Sequence, residues 1–342
     1  MALLAIETSC DETSVAVVSD GQILANSVTS QIELHTEYGG VVPELATREH
    51  LRNLLPVAKA ALSEAELGVE KLKAIAATRG PGLPPALMIG WRAAQATAYA
   101  LNLPLIDINH IEAHLYSPWI KGGKSAANFE DFKPNISLIA SGGHTQLVHV
   151  RGMLDHAVLG ETLDDAAGEC FDKIARLLGL AYPGGPELDR WSEKGNPAAY
   201  EFPRPLLNDS SDNFSFSGLK TSVRYFLEKN PKLKKDNDHL PDLCASAQAA
   251  IVEVLVKKTM RAAKRERAQC LTLSGGVACN SELRKQLQSS CERNDFTLRL
   301  ASPDLCTDNA AMIGLLAEKQ ISDGREFASL EMDFKPGWVL GD

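Results

Sequence analysis

Two segments of the chain follow one plan. LLAIETSCDETSVAVV (residues 3–18) and SLIASGGHTQLVHV (137–150) each run from an apolar strand through a small, polar turn to a threonine and an alternating strand. Each is a β-hairpin pattern, and the two lie about 130 residues apart, so the chain reads as a duplicated unit. Its 342 residues are enough for two such units. Between the hairpins, short β-branched apolar runs alternate with helical segments, which predicts an α/β fold. The predicted strands are Leu3–Glu7, Ser14–Val18, Ile75–Thr78, Leu105–Ile108, Ile136–Ala140, Gln146–Val150, Cys270–Leu273 and Thr297–Leu300. Helical patterns lie near 44–66, 86–101, 110–119, 163–179, 217–228, 240–266, 280–291 and 308–322.

Two halves that each open with a phosphate-facing hairpin point to a duplicated actin-like, sugar-kinase-like two-lobe architecture, with a nucleotide/metal cleft between the lobes. The expected lobes are 1–134 and 135–342, the helix near 308–322 being free to pack back across the cleft. The polar, Gly-rich stretch KGGKSAANFEDFKP (121–134) serves as the join.

Composition limits the partners. No apolar run approaches the roughly 18–20 residues that span a bilayer, which predicts no membrane association. The start MALLAIETSCDETS lacks a basic region, and Glu7 and Asp11 interrupt its apolar stretch, so it reads as the first strand rather than a signal peptide. Seven dispersed cysteines without a CxxC point to reduced thiols in the cytoplasm. A net charge of −9 is poorly suited to gripping a nucleic acid unaided, because phosphate contacts need a positive field. The basic run KKTMRAAKRER (257–267) reads chiefly as a solvated helix end complementing the helix dipole, with an RNA-backbone contact as the second reading.

Several motifs carry chemistry. SGGHTQ (141–146) and LSGGVACN (273–280) both leave a strand through Gly-Gly, where backbone N–H groups can approach an anion; a plain hairpin turn is the alternative for the first. Gly142 and Gly143 can take positive φ, and Asn280 can pair with a ribose or base edge. YPGGPELD (182–189) adds a third Gly-Gly, with Asp189 on the following helix, and equally fits a surface turn. Asp172, in DDAAGECFDKIARLLGL (164–180), fits a solvated or salt-bridged helix position. NHIEAH (109–114) puts His110 and His114 on one helical face, within reach of one ion. Asp308, either an N-cap or a ligand, would complete two imidazoles and a carboxylate. A zinc-peptidase helix needs H-E-x-x-H, with its glutamate on the metal side. Here the order is H-x-E-x-H, which turns Glu112 away and leaves a metallopeptidase without its base.

Taken in order, AIETSCDETSVA, YGGVVPELATREH, RGPGL, HIEAH, SGGHTQL, DDAAGECFDKIARLLGL with YPGGP, FSFSGLKT, SGGVACN and CTDNAAMIG closely resemble the TsaD family from about residue 3 to 315. These are the bacterial tRNA adenosine threonylcarbamoyltransferases, once labelled O-sialoglycoprotein endopeptidases. The resemblance implies transfer of threonylcarbamoyl from threonylcarbamoyl-AMP to N6 of the adenosine 3′ of the anticodon, releasing AMP. It implies a metal on His110, His114 and Asp308, usually described as Fe2+, with Zn2+ chemically acceptable. It implies nucleotide-linked substrate on Ile139, Ala140, Ser141, Gly142, Gly143, Asp172, Gly185, Asp189 and Asn280. Some relatives have a tyrosine where this chain has Ile139, so no metal-ligand role is assigned there. Pro84-Pro85 also departs from the usual small pair, and the 121–134 loop is longer than usual. The implied partners are tRNA, a TsaB-like paralogue and a TsaE-like ATPase. Asp11, in the first hairpin turn, is the candidate base, beside Glu12. A metal-dependent endopeptidase and an ATP-dependent kinase of the same fold are the competing functions.

Overall fold

The computed structural model describes residues 1–120, 126–233 and 238–341; residues 121–125 of the expected join lie outside them. The chain divides into two compact units. Unit 1 is Met1–His35, Val41–Asp131 and Ala301–Asp342, and unit 2 is Thr36–Gly40 and Phe132–Leu300. The strands are β1 (Leu3–Glu7), β2 (Glu12–Ser19), β3 (Gln22–Ser30), β4 (Ala74–Gly80) and β5 (Leu105–Asn109), then β6 (Asn135–Ala140), β7 (Thr145–Gly152), β8 (Asp155–Glu161), β9 (Cys270–Ser274) and β10 (Thr297–Leu300). The helices are α1 (Ile32–Thr36), α2 (Pro43–Glu64), α3 (Pro84–Leu101), α4 (His110–Tyr116), α5 (Ala167–Leu177), α6 (Gly184–Ser192), α7 (Ser217–Lys229), α8 (Leu240–Arg265), α9 (Ser281–Arg293), α10 (Pro303–Cys306) and α11 (Ala310–Ser322).

The duplication is explicit in the sheets, whose orders are β3-β2-β1-β4-β5 and β10-β9-β6-β7-β8. In each, the opening strand begins an antiparallel three-strand meander: β1 with β2 and β2 with β3, then β6 with β7 and β7 with β8. On its other side the opening strand begins a parallel run, β1-β4-β5 or β6-β9-β10. Parallel neighbours end on the same edge. Glu7, Gly80 and Asn109 therefore close three strands at one edge of the first sheet, as Ala140 and Ser274 do in the second.

The sequence pattern leaves out β3 and β8, which are edge strands. Their sequences, QILANSVTS and DHAVLGE, are largely half-buried or exposed, so neither carries a continuous apolar signal. Residues 301–342, expected in the second lobe, belong to unit 1. The cause is packing. Leu4, Ile6, Val15, Val17 and Ile75 face Val57 of α2 and Trp91 of α3 in one core. The opposite face carries small residues that admit α11 closely: a Cβ on Gly314 would meet Val18 at 3.0 Å and Ala5 at 3.1 Å.

In unit 2, Asp164 supplies the cap that α7 lacks in its own sequence. Its carboxylate accepts from Phe216 N–H (2.8 Å), Ser217 N–H (3.2 Å), Ser215 Oγ (2.6 Å) and Ser217 Oγ (2.7 Å). This joins DDAAGE to FSFSGLKT. Partial burial alone would raise the carboxyl, but those four donors outweigh it and hold the group at about 2. A depressed carboxyl stabilises the fold above its unfolded value and loses that contribution as pH falls through the folded value. Asp164→Ala should cost about 1 kcal/mol near neutral pH, a cap's usual worth for a solvent-exposed group. Urea unfolding should show that difference shrinking as pH is lowered from about 4 toward 2.

Candidate functional site

Unit 1 gathers the histidine pair at the carboxyl edge of its parallel strands. Asn109 ends β5 and caps α4, its Oδ1 accepting from Ile111 N–H (2.9 Å) and Glu112 N–H (3.2 Å). His110 and His114 follow on one face, their rings 4.7 Å apart and edge-on. Asp308 Oδ1 lies 3.3 Å from both Nε2 atoms. The three candidate ligand atoms sit within 4.8 Å of one another. Asp308 is not the helix cap, because Asn309 fills that role with Oδ1 on Met312 N–H at 3.0 Å. Ser14 Oγ and Asn26 Oδ1 accept from Ala310 and Ala311 N–H, fixing where Asp308 points.

Glu112 leaves this cluster, as its helical position requires. Its Oε2 takes a hydrogen bond from Gln320 Nε2 at 3.1 Å on α11. Burial pushes its carboxyl up to about 7, against the opposing pull of Arg325 and Gln320.

The first hairpin turn brings further carboxylates to the same place. Burial, followed by the Asp11 and Asp308 charges, raises Cys10 and Glu12 well above their ordinary values. His110 is itself raised: burial opposes its charge, but Asp308 and Glu7 outweigh it. This surplus of negative charge around two imidazoles suits a divalent cation, and the N,N,O donor set can hold one.

Two of the family-like motifs bring no side chain to the cluster and act as buttresses. His50, in ATREH, lies with Nε2 3.0 Å from Cys10 O and Nδ1 2.8 Å from Thr13 Oγ1, so Nε2–H donates to the turn and Nδ1 accepts from the hydroxyl. In RGPGL, Leu83 N–H donates to Ser9 O at 2.8 Å, and a Cβ on Gly82 would stand 2.6 Å from that oxygen. Glu7, which sequence reasoning passes over, contacts His110 Nδ1 at 3.0 Å. Its signal was available, since it is the one charged residue closing the apolar strand LLAIE.

Unit 2 assembles the second set. Ile139 and Ala140 are fully buried in β6, so what they offer is backbone at the strand end. Gly142 and Gly143 do not use the positive φ open to them; Gly275, leaving the neighbouring β9, does, at φ +87°. A Cβ on Gly275 would meet Ala140 O at 2.4 Å, so the two Gly-Gly exits lie side by side. The start of α5 closes on the same turn, Gly168 N–H donating to Ser141 O at 3.1 Å. Asp172, read as solvated or salt-bridged, accepts from Gly185 N–H at 3.0 Å. Asp189 accepts from Ser281 N–H (2.9 Å) and Oγ (2.8 Å). Asn280 caps α9 through Leu283 N–H and donates to Gln248 Oε1 at 2.7 Å. Its carboxamide therefore holds the fold through one bond on each side.

The family model described as TsaD: tRNA N6-adenosine threonylcarbamoyltransferase matches residues 22–315. The chain belongs to the TsaD family. It is a transferase that places a threonylcarbamoyl group on N6 of adenosine in tRNA. A tRNA N6-adenosine threonylcarbamoyltransferase from Trichlorobacter lovleyi is 48% identical over 341 residues, covering 99% of this chain and 97% of that protein. Full-length HypF, in its phosphate- and nucleotide-bound form, aligns with TM-score 0.59 at 13% identity, covering 96% of this chain and 47% of HypF. The activator of 2-hydroxyisocaproyl-CoA dehydratase from Clostridium difficile, with bound ADPNP, aligns with TM-score 0.51 at 14% identity over 96% of this chain and all (100%) of its own. With the duplicated sheets, these likenesses establish the actin-like two-lobe fold. Among the described residues, no helix is long and apolar enough to cross a membrane.

Because Asn280 holds both a helix end and a buried glutamine, Asn280→Ala should lower stability by about 2 kcal/mol, the sum of a lost cap and an unpaired buried amide. Denaturant unfolding without any nucleotide checks this, since a residue reserved for ligand would leave the midpoint unmoved.

Proposed function

We propose that this TsaD-family chain takes the threonylcarbamoyl group from L-threonylcarbamoyladenylate and delivers it to the adenosine 3′ of the anticodon in tRNAs reading codons that begin with A, releasing AMP in the cytoplasm. The observation that carries the reading is the three-donor cluster of His110, His114 and Asp308, ringed by further carboxylates, in a chain of this family. On this reading those three residues hold one divalent metal, with Fe2+ preferred and Zn2+ also suited to the donors. The bound ion supplies Lewis acidity toward oxygen as charge develops there.

The residues do the rest. An exocyclic adenine amine is a weak nucleophile and a carbamoyl–phosphate anhydride a reactive electrophile, so positioning contributes much of the rate. Ile139–Gly143, Asp172, Gly185, Asp189 and Asn280 hold the adenylate, largely through backbone groups and the turns those carboxylates brace. Asn280 also caps α9. The new bond joins N6 to the carbamoyl carbon, and the carbon–oxygen bond to phosphate breaks with its electron pair leaving on AMP. The N6 proton passes to a carboxylate, for which Asp11 is the proposed acceptor; it is largely buried, in the turn His50 and Leu83 brace.

A TsaB-like paralogue and a TsaE-like ATPase are the proposed protein partners. The net charge of −9 supports a need for help with tRNA. So does the basic run, where Lys257 pairs with Glu253 and Arg261 and Arg265 with Asp212, reducing the charge free for phosphate. A peptidase reading lacks the glutamate its helix motif requires, Glu112 being bonded to Gln320.

Nucleoside mass spectrometry of bulk tRNA tests the proposal in cells depleted of the protein. Threonylcarbamoyladenosine should vanish on depletion, return with wild type, and fail to return with His114→Ala at equal protein level. Restoration by the variant would remove the metal pair from the reaction, and persistence without the protein would remove the function.

A further inference from the structure

The two imidazoles of the proposed metal site are held unequally. His110 turns Nε2 toward Asp308, while its Nδ1 lies 3.0 Å from Glu7 Oε2 and 3.3 Å from Ser9 Oγ. Glu7 is fully buried at the end of β1. Its carboxylate also accepts from the Ser9 N–H and from the Thr78 hydroxyl on β4. With both of those partners donating, the carboxylate is an acceptor for His110 as well. That arrangement fixes the Nδ1–H tautomer and leaves the Nε2 lone pair for an ion. His114 has no such support: its Nδ1 is buried without a hydrogen-bond partner among the described residues.

We infer that Glu7 is the positioning residue of this metal site, orienting His110 and strengthening it as a ligand through a carboxylate–imidazole–metal relay, while His114 binds as the unsupported second imidazole. The inference rests on the metal reading of His110, His114 and Asp308 and adds to it the group that sets affinity. Its physical basis is general. A carboxylate on the far nitrogen fixes ring orientation and tautomer and raises the basicity of the nitrogen that faces the metal. The brace spans three elements, because β1 supplies Glu7, β4 supplies Thr78 and α4 supplies the histidine. Ser9, which donates the remaining backbone bond, lies in the turn that carries Asp11.

The test uses the full chain and Zn2+ as the probe, titrated against a chromophoric chelator. His110→Ala and His114→Ala should each abolish tight binding. Glu7→Gln should weaken Zn2+ about 10- to 100-fold, the range typical of a lost outer carboxylate. Thr78→Val, which leaves the charge and removes one brace, should weaken it less. In the Zn2+-loaded wild type, proton–nitrogen NMR should show His110 as the Nδ1–H tautomer with a hydrogen-bonded, downfield proton. That resonance needs no Glu7 variant, so it decides the matter even where Glu7→Gln fails to fold. If both histidine variants bind Zn2+ like wild type, the metal reading itself is wrong. If they lose binding while a folded Glu7→Gln stays within about twofold of wild type, or if His110 carries its proton on Nε2, the metal reading stands and the role of Glu7 is overturned.

Discussion

Asp308 Oδ1 lies 3.3 Å from the Nε2 atoms of both His110 and His114, and much of unit 1 is arranged to keep it there. Two imidazoles and several acidic side chains crowded out of solvent are costly unless something compensates the charge. The compensation visible in the chain itself is partial: His110 is raised because Asp308 and Glu7 outweigh its burial, while burial lowers His114. The three donors are compatible with a single divalent cation, which would balance the remaining negative charge. On the proposed function, an ion there would polarise an oxygen during acyl transfer.

The duplication explains why the pieces meet. In an α/β sheet the loops leaving parallel strands share one edge, and ligands gather there. In unit 1 this edge collects Glu7 from β1, Thr78 from β4 and the α4 histidines after β5. In unit 2 it collects Ser141–Gly143 after β6 and Gly275 after β9. One ancestral topology has thus been fitted with two chemistries. The first carries imidazole and carboxylate, and the second carries glycine-lined backbone braced by Asp172, Asp189 and Asn280. Asn309, capping α11, and the bonds from Ala310 and Ala311 to Ser14 and Asn26 bring Asp308 to the first edge from nearly 200 residues away in sequence.

What the sequence made legible follows the strength of each local signal. The hairpin echo and the central strands stood out because buried strands are continuous apolar runs, and the fully buried Leu3–Glu7 matches the structure residue for residue. β3 and β8 were silent because their small, polar and apolar residues mix along largely half-buried or exposed positions. The histidine pair was legible from helical spacing, and Glu112 pointed away for the same reason. Asp308 was ambiguous between cap and ligand, and only Asn309 in the capping position settles its geometry. Positive φ was open to every glycine of the Gly-Gly exits, and it falls at Gly275 rather than Gly142 or Gly143, because backbone conformation in such a turn depends on what packs beside it. Asn280 read as a ligand group, and the structure adds that it caps α9 and bonds Gln248, a partner 32 residues upstream that no local pattern reveals.

The account stands on one ion held by three residues. Element-resolved metal analysis of the full chain, purified without oxygen or chelator, tests it most directly beside an Asp308→Ala variant. About one transition-metal ion per chain is expected in the wild type, with its near-complete loss in the variant while the fold is retained. Equal metal content in both proteins, or a fully active wild type containing none, would contradict it.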